Sequence, residues 1–489
     1  MSPRLLRLAA LAAVNLAAVT FFLLSYRQHG ISFGPDRIDL DVYRIGGRTW
    51  LRGGSLYGRL PPTPAGPRLP FTYPPIAAVL LAPLALVPAT AAGTVLTLVT
   101  VALTAAVLRL FLLRLSLNPA AAGWLLPAAL FLEPVRNTLA FGQVNVILMA
   151  LVAFDGLAVA PPWPRGVLTG LAAAVKLTPA LFVLFFLLRR DYRAAAAAAL
   201  SFAAATGLGF ALAGRDSARY WTSAVFHVGR VGPPGYAGDQ SLRGLLARAG
   251  LSPHAPAGTA AWLVLSLAVL VVAGLGMRRA LAAAEPGLAL SLNAFAALLI
   301  SPISWSHHWV WCVPAILTLA SLARRHRSRL TAAAAACGLV VFAAAPQWWF
   351  PHGAGRELRW APWEQAAGSS YVLFAAVVLL LAACGQIGLW RTSGTAAILA
   401  RANGEGSDMP RFMDYHDDLK LPAEAIEQIA AGARDGVADD FGVRQVELYH
   451  DDGGHVYCLL DGPDEEAIRQ HHAALGVPCG DVHRVSGLT

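Results

Sequence analysis

Uncharged apolar stretches about 20 residues long recur through the first 390 positions of this chain, and nothing else in it limits the fold as strongly. Residues 194–213, 330–346 and 371–389 contain no charged side chain. As helices, runs of roughly 20 such residues match the hydrocarbon thickness of a bilayer, where only structures that satisfy their own backbone hydrogen bonds can pass. Charged residues make up 14% of the chain and hydrophobic ones 56%, which excludes a soluble globule of 489 residues.

The charge that is present is divided. Residues 1–408 hold 32 Lys and Arg against 13 Asp and Glu, a net of +19, whereas 409–489 hold 6 against 16, a net of −10. Arginines of the first part stand in small groups between apolar runs, as orientation against a cytoplasmic face requires. The basic balance is therefore no nucleic-acid signature. Five cysteines show no Cys-x-x-Cys spacing, so no disulfide framework is indicated. The chain reads as a polytopic α-helical membrane domain over 1–390, a linker over 391–408, and a soluble acidic domain over 409–489.

The apolar pattern predicts a first helix ending near residue 24, then spans at 90–113, 119–133, 139–159, 166–188, 194–213, 261–279, 287–303, 308–323, 330–346 and 371–389. A run of about 13 residues opening at Tyr73-Pro74-Pro75 is too short to cross and suits a re-entrant or interfacial segment. Arg165 and Arg189-Arg190 flank 166–188 at both ends. That stretch must enter and return, broken at Lys176-Leu-Thr-Pro179 by its proline. Counting it as two halves gives about 12 transmembrane helices in the plasma membrane, both termini cytoplasmic. Asp39, Asp41, Glu133 and Asp239 then face outward.

Several of the outward groups can carry chemistry. Asp39-Leu-Asp41-Val-Tyr43 holds two carboxylates beside the membrane, suited to take a proton from an attacking hydroxyl. The same acids also suit the capping of a helix that begins near Asp41. His307 and His308, in Ser301-Pro-Ile-Ser-Trp305-Ser-His307-His308, can donate to an anionic oxygen, or anchor the interface with their tryptophan neighbours. Lys176, one of two lysines, is an ionisable group inside an apolar stretch and needs a partner, either a lipid phosphate or an internal ion pair. Arg136, Gln143, Asn145 and Tyr73 add polar groups on the same side; Gln143 and Asn145 suit sugar hydroxyls or helix–helix hydrogen bonds. Asp239-Gln240-Ser241 follows Gly232-Pro-Pro-Gly235 and reads as a loop able to close over a substrate.

The ordered set Asp39-Leu-Asp-Val-Tyr43, Phe71-Thr-Tyr-Pro-Pro75, Gly142-Gln-Val-Asn145, Lys176-Leu-Thr-Pro179, Asp239-Gln-Ser241 and Ser301-Pro-Ile-Ser-Trp-Ser-His-His308 resembles the family 87 glycosyltransferases of actinobacteria. These are membrane enzymes of the GT-C class, similar to polyprenyl-phosphate-mannose-dependent α-mannosyltransferases and related arabinosyltransferases. The resemblance implies a metal-independent, inverting transfer at the external membrane face, without a cofactor. An aspartate of the first external loop deprotonates an acceptor hydroxyl on a glycolipid or polysaccharide, which displaces lipid phosphate from the sugar. Carried onto this chain, the base falls on Asp39, with Asp41 the competitor. His307 and His308 serve the donor phosphate or the acceptor, and Lys176 and Arg136 balance phosphate charge. The rival class is a transporter or flippase for a lipid-linked anion. It calls for internal repeats, which this chain lacks, while acids gathered in one external loop favour the enzyme.

The acidic tail alternates strand-like 411–416, helical 422–434, strand-like 443–450, a turn at 451–454, strand-like 455–461, helical 464–475 and strand-like 480–486, a βαββαβ order expected for a small α+β ferredoxin-like domain. From Met409-Pro-Arg-Phe-Met-Asp-Tyr-His416 to Gly480-Asp-Val-His483 it resembles small actinobacterial nickel-binding proteins of that fold. The resemblance implies Ni²⁺, with His416, His450, His471, His472 and His483, and Cys458 or Cys479, as candidate ligands. A histidine-rich solvated surface is the other reading of the same residues.

Overall fold

The computed structural model describes residues 37–387, 410–417, 438–450 and 455–485. The expected first helix, the linker, the helix at 422–434 and the turn at 451–454 lie outside the described residues. The chain divides into two compact units, Met1–Arg391 and Thr392–Thr489.

The first unit is helical. Ala89–Arg114, Tyr192–Leu212, Pro256–Ala282 and Arg329–Trp348 are each long and apolar enough to cross a membrane. Pro362–Gly368 and Ser370–Ala383, bent by 70°, form a fifth if taken together. Other apolar stretches come in shorter pieces, among them Pro119–Phe131, Asn145–Leu157, Thr178–Leu188 and Pro286–Ile300. The expected span over 139–159 is not continuous. One helix, Glu133–Phe141, stops at Gly142, whose φ of 68° suits glycine and caps the carbonyls behind it, and Asn145–Leu157 starts afresh.

The expected break in 166–188 is present. Val167–Val175 ends where Lys176 becomes extended, and a 3₁₀ turn, Thr178–Phe182, restarts the chain with Pro179 at its head. Proline has no N–H to continue the first helix but suits the opening turn of the second. Val167–Val175 lies against Tyr192–Leu212 at a distance only glycine permits: a Cβ on Gly170 would stand 2.2 Å from the Ala198 carbonyl oxygen.

Two further devices tie parts of this unit together. Ile38–Leu51 is fastened through its arginines: Arg37 donates to the Gly93 carbonyl at 3.0 Å and Thr97 Oγ1 at 2.7 Å, and Arg44 to the carbonyls of Leu84 and Val87. Both acids fall within the first turn of this helix and neither side chain caps it, so the capping reading does not apply. Glu133, fully buried, accepts from Asn137 Nδ2, Ser306 Oγ, Trp348 Nε1 and Tyr371 Oη at 2.7–2.9 Å. One carboxylate thereby ties four parts of the chain together, with both of its buried oxygens hydrogen-bonded.

In the second unit, β1 (Arg411–His416), β2 (Arg444–His450), β3 (Val456–Asp461) and β4 (Val482–Val485) form an antiparallel sheet in the order β2-β3-β1-β4. Glu465–Ala474 lies between β3 and β4 in sequence and contributes Ala467 and Ile468 to a core with Phe412, Val456, Cys458, Leu460 and Val482.

Candidate functional site

A cavity of about 550 Å³ opens within the first unit. Asp39, Tyr73, Gln143, Lys176 and His308 line one part of it, and Leu181, Trp262, Ile300 and Val225 give it apolar walls. The break after Val175 is what turns Lys176 toward this space, and the Gly142 turn does the same for Gln143.

Hydrogen bonds lock these side chains to one another. Lys176 Nζ donates to Asn145 Oδ1 at 2.9 Å and lies 3.0 Å from His308 Nε2. An ammonium can only donate, so Nε2 accepts and the ring proton of His308 sits on Nδ1. Asn145 Nδ2 and Thr138 Oγ1 both donate to the His307 carbonyl, at 2.8 and 2.9 Å, which fixes the turn presenting His308. Tyr43 Oη donates to Gln143 Oε1 at 2.6 Å, and Gln143 Nε2 to Tyr73 Oη at 3.0 Å. The amide and both phenols are buried and stiffen the wall behind Asp39.

Asp39 and Asp41 part company. Two positions apart on a helix they point about 200° from each other. Asp39 lines the cavity, whereas Asp41 is buried outside its lining, beside Arg44. Burial raises the Asp39 carboxyl to about 6, against the opposing pull of the Lys176 ammonium and the Gln143 amide.

Other candidates lie elsewhere. His307 is buried with its ring edge-on to Phe141 and His308, and it does not line the cavity. Arg136 stands near Glu133, also outside the lining. Asp239 and Gln240 are fully buried: Asp239 Oδ1 accepts from the Ser304 N–H, and Gln240 Nε2 donates to the carbonyls of Ala237 and Gly368. The segment expected to close over a substrate is stitched into the protein beneath the Ser301–Trp305 turn. His227 and Arg230 do line the cavity and were not singled out from the sequence. They sit in irregular turns around Ala224–Phe226 and Val228–Arg230, where no periodicity announces a face.

A second cluster lies in the second unit, where ligand-capable atoms of Asp414, His416, Cys458 and His472 all fall within 4.8 Å of one another. The strand period explains three of them. Asp414 and His416 alternate inward on β1, and Cys458 is the register partner of Asp414 on β3. Glu465–Ala474 brings His472 over the same face, its Nδ1–H donating to the Ile468 carbonyl at 2.9 Å so that Nε2 points to Asp414 Oδ2 at 2.8 Å. Both Asp414 carboxylate oxygens and His416 Nε2 are buried at contact distance yet without hydrogen-bond geometry, as converging ligand atoms are. Burial, then Asp414, pushes the Cys458 thiol up to about 12. Two nitrogens, a sulfur and a carboxylate fit a borderline divalent metal such as Ni²⁺.

His471 instead pairs with Asp439 at 2.7 Å, and His483 is the register partner of the outward Met413, so both stand outside the cluster. Cys479 is likewise not among its members, and the side chain of His450 lies outside the described part. Asp414, not singled out among the histidines, was findable from its two-residue spacing to His416.

The site is a carboxylate facing a cavity with apolar walls, in a unit whose helices include several long and apolar enough to cross a membrane. Comparison with known proteins makes this particular. The chain is similar to the polyprenol-phosphate-mannose-dependent α-(1-2)-phosphatidylinositol mannoside mannosyltransferase of Mycobacterium tuberculosis, 43% identical over 384 residues, covering 75% of this chain and 88% of that protein. The protein of the same description from Mycolicibacterium smegmatis is 41% identical over 387 residues, 74% of this chain and 86% of its own length. Among solved structures, ArnT from Cupriavidus metallidurans bound to undecaprenyl phosphate aligns over 92% of this chain and 97% of that one, with 13% identity and a TM-score of 0.35. The model of glycosyltransferase family 87 matches residues 71–302, and that of the nickel responsive protein SCO4226-like family matches 412–485. The chain belongs to glycosyltransferase family 87, with a nickel-responsive-type domain at its C-terminal end.

Proposed function

We propose that this glycosyltransferase moves a mannosyl unit from a polyprenyl-phosphate donor to a phosphatidylinositol-mannoside type of glycolipid at the external membrane face, with inversion at the anomeric carbon. The GT-C-like domain crosses the plasma membrane about 12 times with both termini cytoplasmic, the shorter apolar helices supplying crossings beyond the long ones. The observation that carries the reading is that Asp39, Lys176 and His308 line one cavity with apolar walls. Asp39 takes the proton of the acceptor hydroxyl as its oxygen bonds to the sugar, and the bond to the phosphate oxygen breaks. A lipid phosphate is already a good leaving group, so the protein supplies position and charge at the reacting centre rather than covalent help. Lys176 provides that charge, His308 is held beside it through Nε2, and Gln143 and Tyr73 orient the sugar hydroxyls. The names of the mannosyltransferase relatives support the choice of sugar and acceptor. Transfer of labelled mannose from polyprenyl-phosphate mannose to phosphatidylinositol mannoside, in membranes containing the full chain, tests the assignment. Product from an arabinofuranosyl donor alone would overturn it.

In the second unit, Asp414, His416, Cys458 and His472 hold Ni²⁺, supported by their convergence and by the donor set. The metal takes no part in transfer.

A further inference from the structure

Arg230 is a cation of this cavity without a matching charge. Its guanidinium lies 5.5 Å from the Tyr57 ring centroid, and its one hydrogen bond given by the structure is a long one, Nη2 to the Phe71 carbonyl at 3.5 Å. Tyr57, Tyr220 and a second arginine, Arg219, are its charged or titratable neighbours, and among the described residues no carboxylate forms an ion pair with it. A planar guanidinium with most of its N–H donors open to a cavity is built to meet an oxyanion.

Charge accounting identifies the anion. The cavity holds one carboxylate, Asp39, and two fixed cations, Lys176 and Arg230. Asp39 and Lys176 offset each other, which leaves one positive charge. A sugar phosphodiester carries one negative charge, so donor and site are neutral together. When the acceptor oxygen bonds to the anomeric carbon, its proton passes to Asp39 and the carbon–oxygen bond to phosphate breaks with its electron pair on phosphate. The diester becomes a monoester with a second negative charge, just as Asp39 ceases to hold Lys176. Two cations then face a dianion, and the site is neutral again. Without Arg230, the leaving phosphate would gain its charge in apolar surroundings against a single cation.

We propose that Arg230 contacts the phosphate of the lipid-linked donor and stabilises the charge that develops on it as the sugar leaves. Val225, Val231 and Trp262 wall the cavity, an apolar lining suited to the first units of a polyprenyl tail. This role takes the place that Arg136, outside the cavity lining, does not fill. The proposal rests on transfer from a polyprenyl-phosphate donor, and the alternative source of a phosphodiester is the acceptor glycolipid itself.

Steady-state transfer by Arg230→Gln in the full chain, with each substrate varied in turn, separates the two. The expected result is a loss of about 100-fold in kcat/KM for the donor. Inhibition by free polyprenyl phosphate should weaken at least about tenfold, with the acceptor KM unchanged. Arg230→Lys keeps the charge but loses the paired donors, and should recover part of both. A rise in acceptor KM alone would assign Arg230 to the acceptor and overturn the proposal, as would unchanged kinetics. If Arg230→Gln does not fold, Arg230→Lys decides the point: weaker inhibition by polyprenyl phosphate supports the donor contact, and unchanged inhibition overturns it. Direct binding of polyprenyl phosphate to the protein in nanodiscs keeps this test apart from the function assignment. Absence of mannosyl transfer by the unmodified chain would count against the function, while equal binding by unmodified and Arg230→Gln proteins would count against Arg230.

Discussion

Asp39 and Asp41 are two residues apart, equally acidic and equally near the membrane, and only the turn of the helix separates them. Asp39→Asn should reduce transfer by at least about 1000-fold, as loss of a positioned base does, while leaving the protein folded. Asp41→Asn should leave the same assay within about tenfold, any loss coming through packing rather than proton transfer. As the proposed base Asp39 works only as a carboxylate, and burial raises it to about 6. Donor kcat/KM should therefore fall as the pH drops through about 6. Lys176 pulls that carboxyl down, so Lys176→Gln should move the acid limb of the profile to higher pH, on top of its effect on rate. A limb that stays in place would show that the titrating group is not Asp39.

Elements were legible in the sequence to the extent that one residue type decides them. Pro179 announces the break at Lys176, because no proline continues the preceding helix, and the long helices follow from the length of their apolar runs. Gly142 was harder to read. Glycine inside an apolar run can be a packing contact or a stop, and only the chain around it selects the left-handed turn that splits 139–159. Asp239-Gln240-Ser241 carries the polar, glycine-preceded look of a surface loop, yet its side chains satisfy buried backbone groups. Arg230 reached the cavity through tertiary packing of irregular turns, which leaves no local pattern. The glycine contact between Val167–Val175 and Tyr192–Leu212 gives a prediction at this scale. Gly170→Leu should lower the thermal midpoint of the detergent-solubilised protein and its transfer rate together, since overpacking costs roughly 1–3 kcal/mol or more and the displaced helix ends at Lys176.

Across the whole molecule, composition pointed to two unlike parts, and each has its own candidate site. In the acidic part, strand alternation was enough to separate His416 from outward residues, but which histidine of the Gln470-His471-His472 run faces the sheet depends on how the helix sits over it. In the full chain, His472→Ala should abolish bound Ni²⁺ measured by elemental analysis after dialysis, whereas His483→Ala should retain it. Retention by the first variant would place the ligands elsewhere. Deleting 409–489 tests a regulatory role for this domain: transfer that is the same with and without both the domain and Ni²⁺ would exclude one.

The scarcity of lysine has a practical consequence. Residues 1–390 contain a single side-chain primary amine, that of Lys176, and it faces the cavity. An acylating or reductively coupling reagent small enough to enter has one side-chain amine as its address there. Peptide mapping after such labelling, with and without polyprenyl phosphate, should report occupancy of the cavity directly, with no need for turnover or a labelled sugar.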